Sequence, residues 1–140
     1  MRYMMLVKAP EQKGPPPKAL MDEIAKISQE AAQSGKMVGG GGLAPTALGA
    51  RVRIEGGKIK VIDGPFTEAK EILGGYAQFE LSSKEEAIEA AVKFMELHRI
   101  HWPGWEGETE IRQMFGPNDG PCGEQQASVA EKVRRPEAAR

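Results

Sequence analysis

The sequence has a single cysteine, Cys122, among its 140 residues. One cysteine excludes a disulfide within the chain and any cluster of thiolate metal ligands. No apolar run approaches the roughly 20 residues that a membrane-spanning helix requires. The apolar start of the chain meets a charge at Lys8, so it is also too short for the core of a signal peptide. We therefore expect a soluble, cytoplasmic protein.

An excess of one charge is also lacking. The chain has 19 basic and 20 acidic side chains, which gives a net charge of −1. Binding to nucleic acid or to an anionic membrane depends on excess positive charge, so we expect neither partner. Charged residues make up 28% and hydrophobic residues 40% of the sequence, which is typical of a globular chain.

Large apolar residues are missing from residues 117–140, which contain no Leu, Ile, Met, Phe, Tyr or Trp. Such a segment buries too little apolar surface to offset the entropy lost on ordering. We therefore predict a flexible C-terminal tail, 117–140, after a folded domain, 1–116. A domain of this length buries limited apolar surface by itself, so we also expect a homodimer.

Within the domain, apolar spacing predicts the order β-α-β, hairpin, β-α-β, hence an α+β domain with helices on one face of an antiparallel sheet. Ser83 and Glu86 form a capping box that begins the second helix. We expect this helix to bury a stripe of Ile88, Ala91, Val92 and Met95. The other predicted elements are strands at 3–7, 75–81 and 109–115, a helix at 18–34, an irregular glycine-rich strand at 39–42 and a helical turn at 67–71.

The clearest local pattern is the hairpin. Val52 and Ile54 alternate with charged residues, Gly56-Gly57 supplies the turn, and Ile59 and Val61 continue the alternation. This pattern predicts two antiparallel strands with one apolar and one charged face. We expect the apolar face to lie on the core and the charged face to meet water.

The first candidate site is the loop that follows the hairpin, Asp63-Gly64-Pro65-Phe66-Thr67-Glu68. Gly64 and Pro65 make the loop rigid, which suits a carboxylate that must be held in place. Beside Phe66, Asp63 is a candidate general acid or base, with Glu68, Lys70 and Glu71 nearby. The alternative is a simple turn in which the Asp63 side chain caps backbone amides, and the residues alone favour it.

The second candidate site contains both histidines and both tryptophans of the chain, within His98–Trp105. His98 and His101 share a helix face, but a zinc site needs a third ligand, for which the candidates are Glu106, Glu108 and Asp63. A neutral histidine is alternatively a proton shuttle. For the tryptophans we favour a structural role, capping the core at the end of the second helix. We expect no metal and no cofactor.

A family resemblance is carried by residues 63–71, Asp-Gly-Pro-Phe-Thr-Glu-Ala-Lys-Glu, followed by Leu73-Gly74-Gly75-Tyr76. Together with Arg2–Leu6, Gly40–Pro45 and Trp105–Arg112, this motif resembles the YCII-related (DGPF-domain) family, whose members include YciI-like proteins. The resemblance implies a ferredoxin-like βαβ(β)βαβ domain that dimerises through its sheet into a dimeric α+β barrel.

The resemblance also bears on function. It places the family's aspartate at Asp63, but the histidine that YciI-like proteins pair with it lies earlier in the chain, and this sequence has no histidine before His98. It further implies a link to bacterial sigma-factor or stress regulation. The residues that it assigns to the pocket or motif are Gly64, Pro65, Phe66, Thr67, Glu68, Lys70, Gly75 and Tyr76.

Two functional hypotheses follow. The first is a small-molecule enzyme of isomerase or lyase type that uses Asp63 for proton transfer, assisted by Tyr76, Lys70, His98 or His101. The second is a non-catalytic dimeric module that binds a small organic ligand or a regulatory protein. A rigid loop carboxylate favours the first hypothesis, and the missing early histidine favours the second.

Overall fold

The computed structural model describes residues 1–116. The predicted tail, 117–140, with Cys122 in it, lies outside the described residues. No helix within residues 1–116 is long and apolar enough to cross a membrane. In chain order the elements are β1 (Arg2–Ala9), α1 (Lys18–Gln33), β2 (Met37–Gly42), a 3₁₀ turn (Thr46–Leu48), β3 (Ala50–Glu55), β4 (Lys58–Asp63), β5 (Ile72–Glu80), α2 (Lys84–His101) and β6 (Glu108–Gln113).

Four strands form one antiparallel sheet in the order β2-β5-β1-β6. β5 lies between β1 and β2, and β1 lies between β5 and β6, so each helical crossover passes over one strand. This arrangement is consistent with a ferredoxin-like α+β fold. The predicted α+β class and the predicted order of elements are confirmed.

The core lies between this sheet and the helices. Side chains alternate along β1, so Tyr3 and Met5 point to one face, where they pack with Leu81 and with Ala87 and Ala91 of α2. Phe79 and Ile111, from the two strands next to β1, join the same cluster. We call this the helix face of the sheet.

The buried stripe of α2 differs from the predicted one. Ala91 is buried as expected, together with Ala87 and His98. Ile88 is 42% exposed and Val92 is 56% exposed, so their predicted burial was wrong. The small side chains of Ala87 and Ala91 let α2 lie close to the sheet, and the larger residues beside them are turned outward.

The hairpin formed as predicted, with Gly56 at φ 58° and Gly57 at φ 76° in the turn. It is, however, a separate two-stranded sheet, because β3 and β4 pair only with each other. Its apolar face therefore does not lie on the core, and that expectation was wrong for the residues described. The predicted helical turn at 67–71 is also wrong, because the structure has only a tight turn closed by Ala69 N–H and the Phe66 carbonyl.

Glu86 ties the start of α2 to Lys36, which lies between α1 and β2. As predicted, the Ser83 hydroxyl accepts from the Glu86 N–H, at 3.2 Å. The Glu86 carboxylate instead binds Ser82, through its hydroxyl and its N–H, and pairs with Lys36 at 3.2 Å. These contacts, led by the Ser82 hydroxyl, lower the pKa of Glu86 to about 2.

We therefore predict that Glu86→Gln lowers the thermal midpoint at pH 7, because it removes the ion pair and weakens the hydrogen bonds to Ser82. Glu89→Gln, on an exposed position of the same helix, is the matched control. Since the folded-state pKa of Glu86 is depressed, its stabilisation is complete above the ordinary value of 4.5 and is lost as the pH falls toward about 2. Thermal melts of both variants from pH 7 to pH 2 measure this, and an equal effect at every pH would contradict it.

Candidate functional site

Four connecting segments meet at one end of the four-stranded sheet. Lys8 pairs with Glu108, Ala9 with Ile72, and Gly42 with Gly75, so β1 and β2 end where β5 and β6 begin. We call this end the loop edge. It gathers the segments 10–17, 43–49, 64–71 and 102–107. Both candidate sites from the sequence therefore lie at the same edge of the fold.

Thr46 connects three of these segments. Its hydroxyl donates to the Glu11 carboxylate at 2.6 Å, and its N–H donates to the same carboxylate at 3.1 Å. The hydroxyl oxygen also accepts the Phe66 N–H at 3.2 Å. The loop after the hairpin is thus held by the segments that precede α1 and β3.

Gly64 allows the loop after the hairpin to lie directly against the backbone of Thr46. Its N–H donates to the Gly49 carbonyl at 2.9 Å, and any Cβ at this position would overlap the Thr46 carbonyl oxygen. The peptide bond between Gly64 and Pro65 is cis. The rigidity predicted for this loop therefore has a visible cause, which is close backbone packing.

Arg51 of β3 joins the hairpin to the same loop. Its guanidinium lies over the Phe66 ring, 3.9 Å from the centroid, and pairs with the Glu68 carboxylate at 2.8 Å. A cation over an aromatic face gains electrostatic energy, and a carboxylate partner fixes its direction. Two of the motif residues, Phe66 and Glu68, thereby anchor the hairpin.

Asp63, the leading catalytic candidate, is the last residue of β4 and is exposed. Among residues 1–116 its carboxylate has neither a hydrogen bond nor an ion pair, so it does not cap its own turn. Pro65, Thr67 and Lys70 are also exposed. Asp63 follows Val61 by two residues, so both lie on the apolar face of the hairpin.

Gly75 and Tyr76 of β5 lie apart from the motif loop. Gly75 is buried opposite Val7. Tyr76 pairs with Leu6 and points to the opposite face from Phe79, so it lies on the side of the sheet that the helices leave uncovered. The structure therefore places Tyr76 on the opposite side of the sheet from the core.

His98 lies in an aromatic cluster, and its ring is tilted against those of its two neighbours. Its ring centroid is 4.6 Å from that of Phe94 and 4.5 Å from that of Trp105. Its Nδ1 lies 3.0 Å from the Phe94 carbonyl oxygen, which only accepts, so Nδ1 carries the proton and Nε2 has a free lone pair. Burial lowers the pKa of His98 below its ordinary value of 6.5, although the bond to Phe94 opposes this shift.

His98 lines a shallow cleft. Its Nε2 has no protein partner among residues 1–116, and although the residue is only 6% exposed, this nitrogen is not fully buried. The cleft on this side has a volume of about 330 Å³, and a neighbouring depression of about 390 Å³ extends it toward Pro10 and Gln12. Trp102 and Trp105, stacked with centroids 6.0 Å apart, line both.

The position of the Trp105 ring requires a glycine at residue 107. A Cβ at Gly107 would overlap the Trp105 ring and the Lys8 carbonyl oxygen. The tryptophans lie at the end of α2 as expected, and both indoles line the cleft. His101 is half-buried, and no group of three or more His, Cys, Asp or Glu within residues 1–116 is arranged to hold a metal ion.

Two residues of the loop edge escaped the sequence analysis. Glu11 and Thr46 lie 35 residues apart, and Thr46 lies 20 residues before Phe66. Neither belongs to a short motif, so no local signal indicates their contact. Arg51 was assigned only to the hairpin pattern, and its position over Phe66 depends on the fold.

Comparison with known proteins agrees with this architecture. A family model described as the YCII-related domain matches residues 1–94. The match covers more than half of the chain, so the protein belongs to the YCII-related domain family, and the resemblance is confirmed. The matched range ends within α2, before β6 completes the sheet.

A curated protein of Rhizobium meliloti (strain 1021), described as uncharacterized, is similar to this chain. The two are 32% identical over 72 residues, which cover 51% of this chain and 58% of the relative. The matched region is thus less than two thirds of the relative's length.

The packing of Gly64 yields a prediction. Gly64→Ala places a methyl group against the Thr46 carbonyl, so the loop must shift, and we expect a loss of about 2 kcal/mol in the free energy of unfolding. Gly74→Ala is the control, because a Cβ there meets no atom within 4 Å, and it should change stability by less than about 1 kcal/mol. Urea denaturation measures both values. Equal effects of the two substitutions would show that the loop is not closely packed.

Proposed function

We propose that the protein is a non-catalytic, dimeric module that binds a small planar organic ligand. The observation that carries the proposal is the position of His98, which has an unprotonated Nε2 without a protein partner among residues 1–116 and lines the same cleft as the two indoles. Indole faces bind planar rings, and Nε2 accepts a hydrogen bond from a ligand hydroxyl or N–H.

The alternative, proton transfer by Asp63, has less support. A general acid or base must come within hydrogen-bond distance of its substrate. Asp63 is exposed and is absent from the lining of the two depressions at the loop edge. Within residues 1–116, the site that best meets the requirement for a bound ligand lies at His98, which lines a cleft together with both tryptophans. For this reason we favour binding over catalysis.

The homodimer is the second part of the proposal. β1 turns Met4 and Leu6 away from the helices, and Leu73 and Tyr76 of β5 lie on the same side, where both are exposed. We call this the open face of the sheet. Around its apolar centre, Lys8 pairs with Glu108 and Glu110, so the charges there are largely neutralised within the chain. A second open face would cover it and form the dimeric barrel.

Phenol is a suitable probe of the cleft, because it is planar and donates one hydrogen bond. The chain has only two tryptophans, and both line the cleft, so the two indole N–H signals in a ¹⁵N spectrum report on it directly. We expect phenol to shift both signals. His98→Phe keeps the aromatic cluster but removes the acceptor, and should weaken phenol binding by about tenfold, the value of one hydrogen bond.

Three controls accompany this titration. His101→Phe should bind phenol as the wild type does, and toluene, which has no donor, should bind wild type and His98→Phe equally. Because burial lowers the pKa of His98 below 6.5, phenol affinity should hold down to pH 6.5 and fall only at lower pH. Phenol binding that is indifferent to His98→Phe would refute the proposed site.

A further inference from the structure

The hairpin of β3 and β4 exposes its whole apolar face. Val52 pairs with Val61 and Ile54 with Ile59, so these four side chains share one side. They are 71%, 68%, 75% and 71% exposed in that order. Isolated aliphatic residues are common on protein surfaces, but a contiguous β-branched patch of this kind marks an interaction surface.

The hairpin is attached to the domain at its base. The contacts that hold it are Arg51 with Phe66 and Glu68, and the Gly64 N–H with the Gly49 carbonyl. A lone two-stranded hairpin is only marginally stable in water. We call this segment, residues 50–63, the arm. Covering its apolar face would therefore stabilise it.

The rest of the chain is poorly suited to cover it. The elements of residues 1–116 leave the arm face exposed, and residues 117–140 contain no Leu, Ile, Met, Phe, Tyr or Trp to pack against it. The charged residues Arg53 and Lys60 lie opposite each other on the two strands, on the other face of the arm. The apolar face is thus free of charge at its centre, and only Asp63 lies at its rim.

The area of the arm indicates what covers it. Two six-residue strands make a face of about 20 Å by 10 Å, or roughly 200 Å². A stable interface needs about 800 Å² from each partner, so the arm alone is too small. The open face of the sheet adds roughly 400 Å², and protruding side chains increase both values. Arm and open face together come to roughly 600 Å², the low end of the range of about 600–1,000 Å² per partner, and neither surface reaches that range alone.

We infer that the arm packs its apolar face on a second copy of this chain, within the same interface as the open face of the sheet. A second copy carries the same two uncovered surfaces, and twofold symmetry buries them in pairs. Asp63, at the rim of the arm face, then lies at the boundary between the two protomers. This inference rests on the proposed homodimer and extends it from the sheet to the arm.

Matched double variants test the arm. Ile54→Gln/Ile59→Gln changes a directly opposed pair on the apolar face, and Arg53→Gln/Lys60→Gln changes the adjacent opposed pair on the charged face. Because Ile54 and Ile59 are exposed in the single chain, the first variant should retain the fold, which circular dichroism checks. Sedimentation equilibrium of the full 140-residue chain, with reductant to keep Cys122 a thiol, measures the dissociation constant of the dimer.

The expected result is that Ile54→Gln/Ile59→Gln raises the dissociation constant at least about tenfold, while Arg53→Gln/Lys60→Gln changes it less than twofold. A wild-type dimer that both variants leave unchanged would overturn the arm contact and keep the sheet-face dimer. Equal weakening by both variants would also overturn it, since the apolar face would then have no special role. A monomeric wild type would overturn the arm contact and the proposed homodimer together. A monomer that binds phosphatidylserine vesicles through the arm would instead assign the apolar face to a membrane.

Discussion

An antiparallel sheet has two faces, and this chain covers only one of them. Helix α2 packs on Tyr3 and Met5, whereas Met4 and Leu6 of the same strand point to the opposite face, where both are half-buried. The rest of the structure depends on this asymmetry. It determines which residues form the core, and it leaves a half-apolar surface on the other side.

Both candidate sites lie at the loop edge of the sheet. The ion-paired and hydrogen-bonded motif loop is held by Thr46 and Arg51, and the aromatic cluster around His98 lies at the end of α2. The motif loop thus has a structural role, because it joins the arm to the domain. The cleft is lined instead by the segment 102–107, which contains both tryptophans. The family motif and the best candidate binding site therefore lie at the same edge of the sheet but in different segments.

The sequence predicted the local features of the fold well. The helix at 18–34, the capping of α2 by Ser83 and the glycine turn of the hairpin depend on neighbouring residues, and the structure has all three. The errors concern long-range packing. Alternation in Val52–Val61 shows that one face is apolar but cannot show what that face meets. Likewise, helical spacing alone did not place Ala87 and His98, rather than Ile88 and Val92, against the core.

The candidate site shows the same division. The motif residues were found from their order in the chain, but the partners that fix them, Glu11 and Thr46, come from distant segments. The role of His98 depends on the Phe94 carbonyl and on the Trp105 ring. The first of these follows from helical geometry, because residues four apart are neighbours on a helix. The second depends on how the chain turns after α2, which no local pattern specified.

The central claim is that a second copy completes the surfaces that the single chain leaves uncovered. Hydrogen–deuterium exchange of the full chain, at concentrations well above and well below the point of dissociation, tests it most directly. The account predicts that the amides of the hydrogen-bonded pairs Arg53/Lys60 and Glu55/Lys58 are protected at high concentration and lose that protection on dilution, since a lone hairpin is only marginally stable. Arm amides that exchange at the same fast rate at every concentration would contradict it.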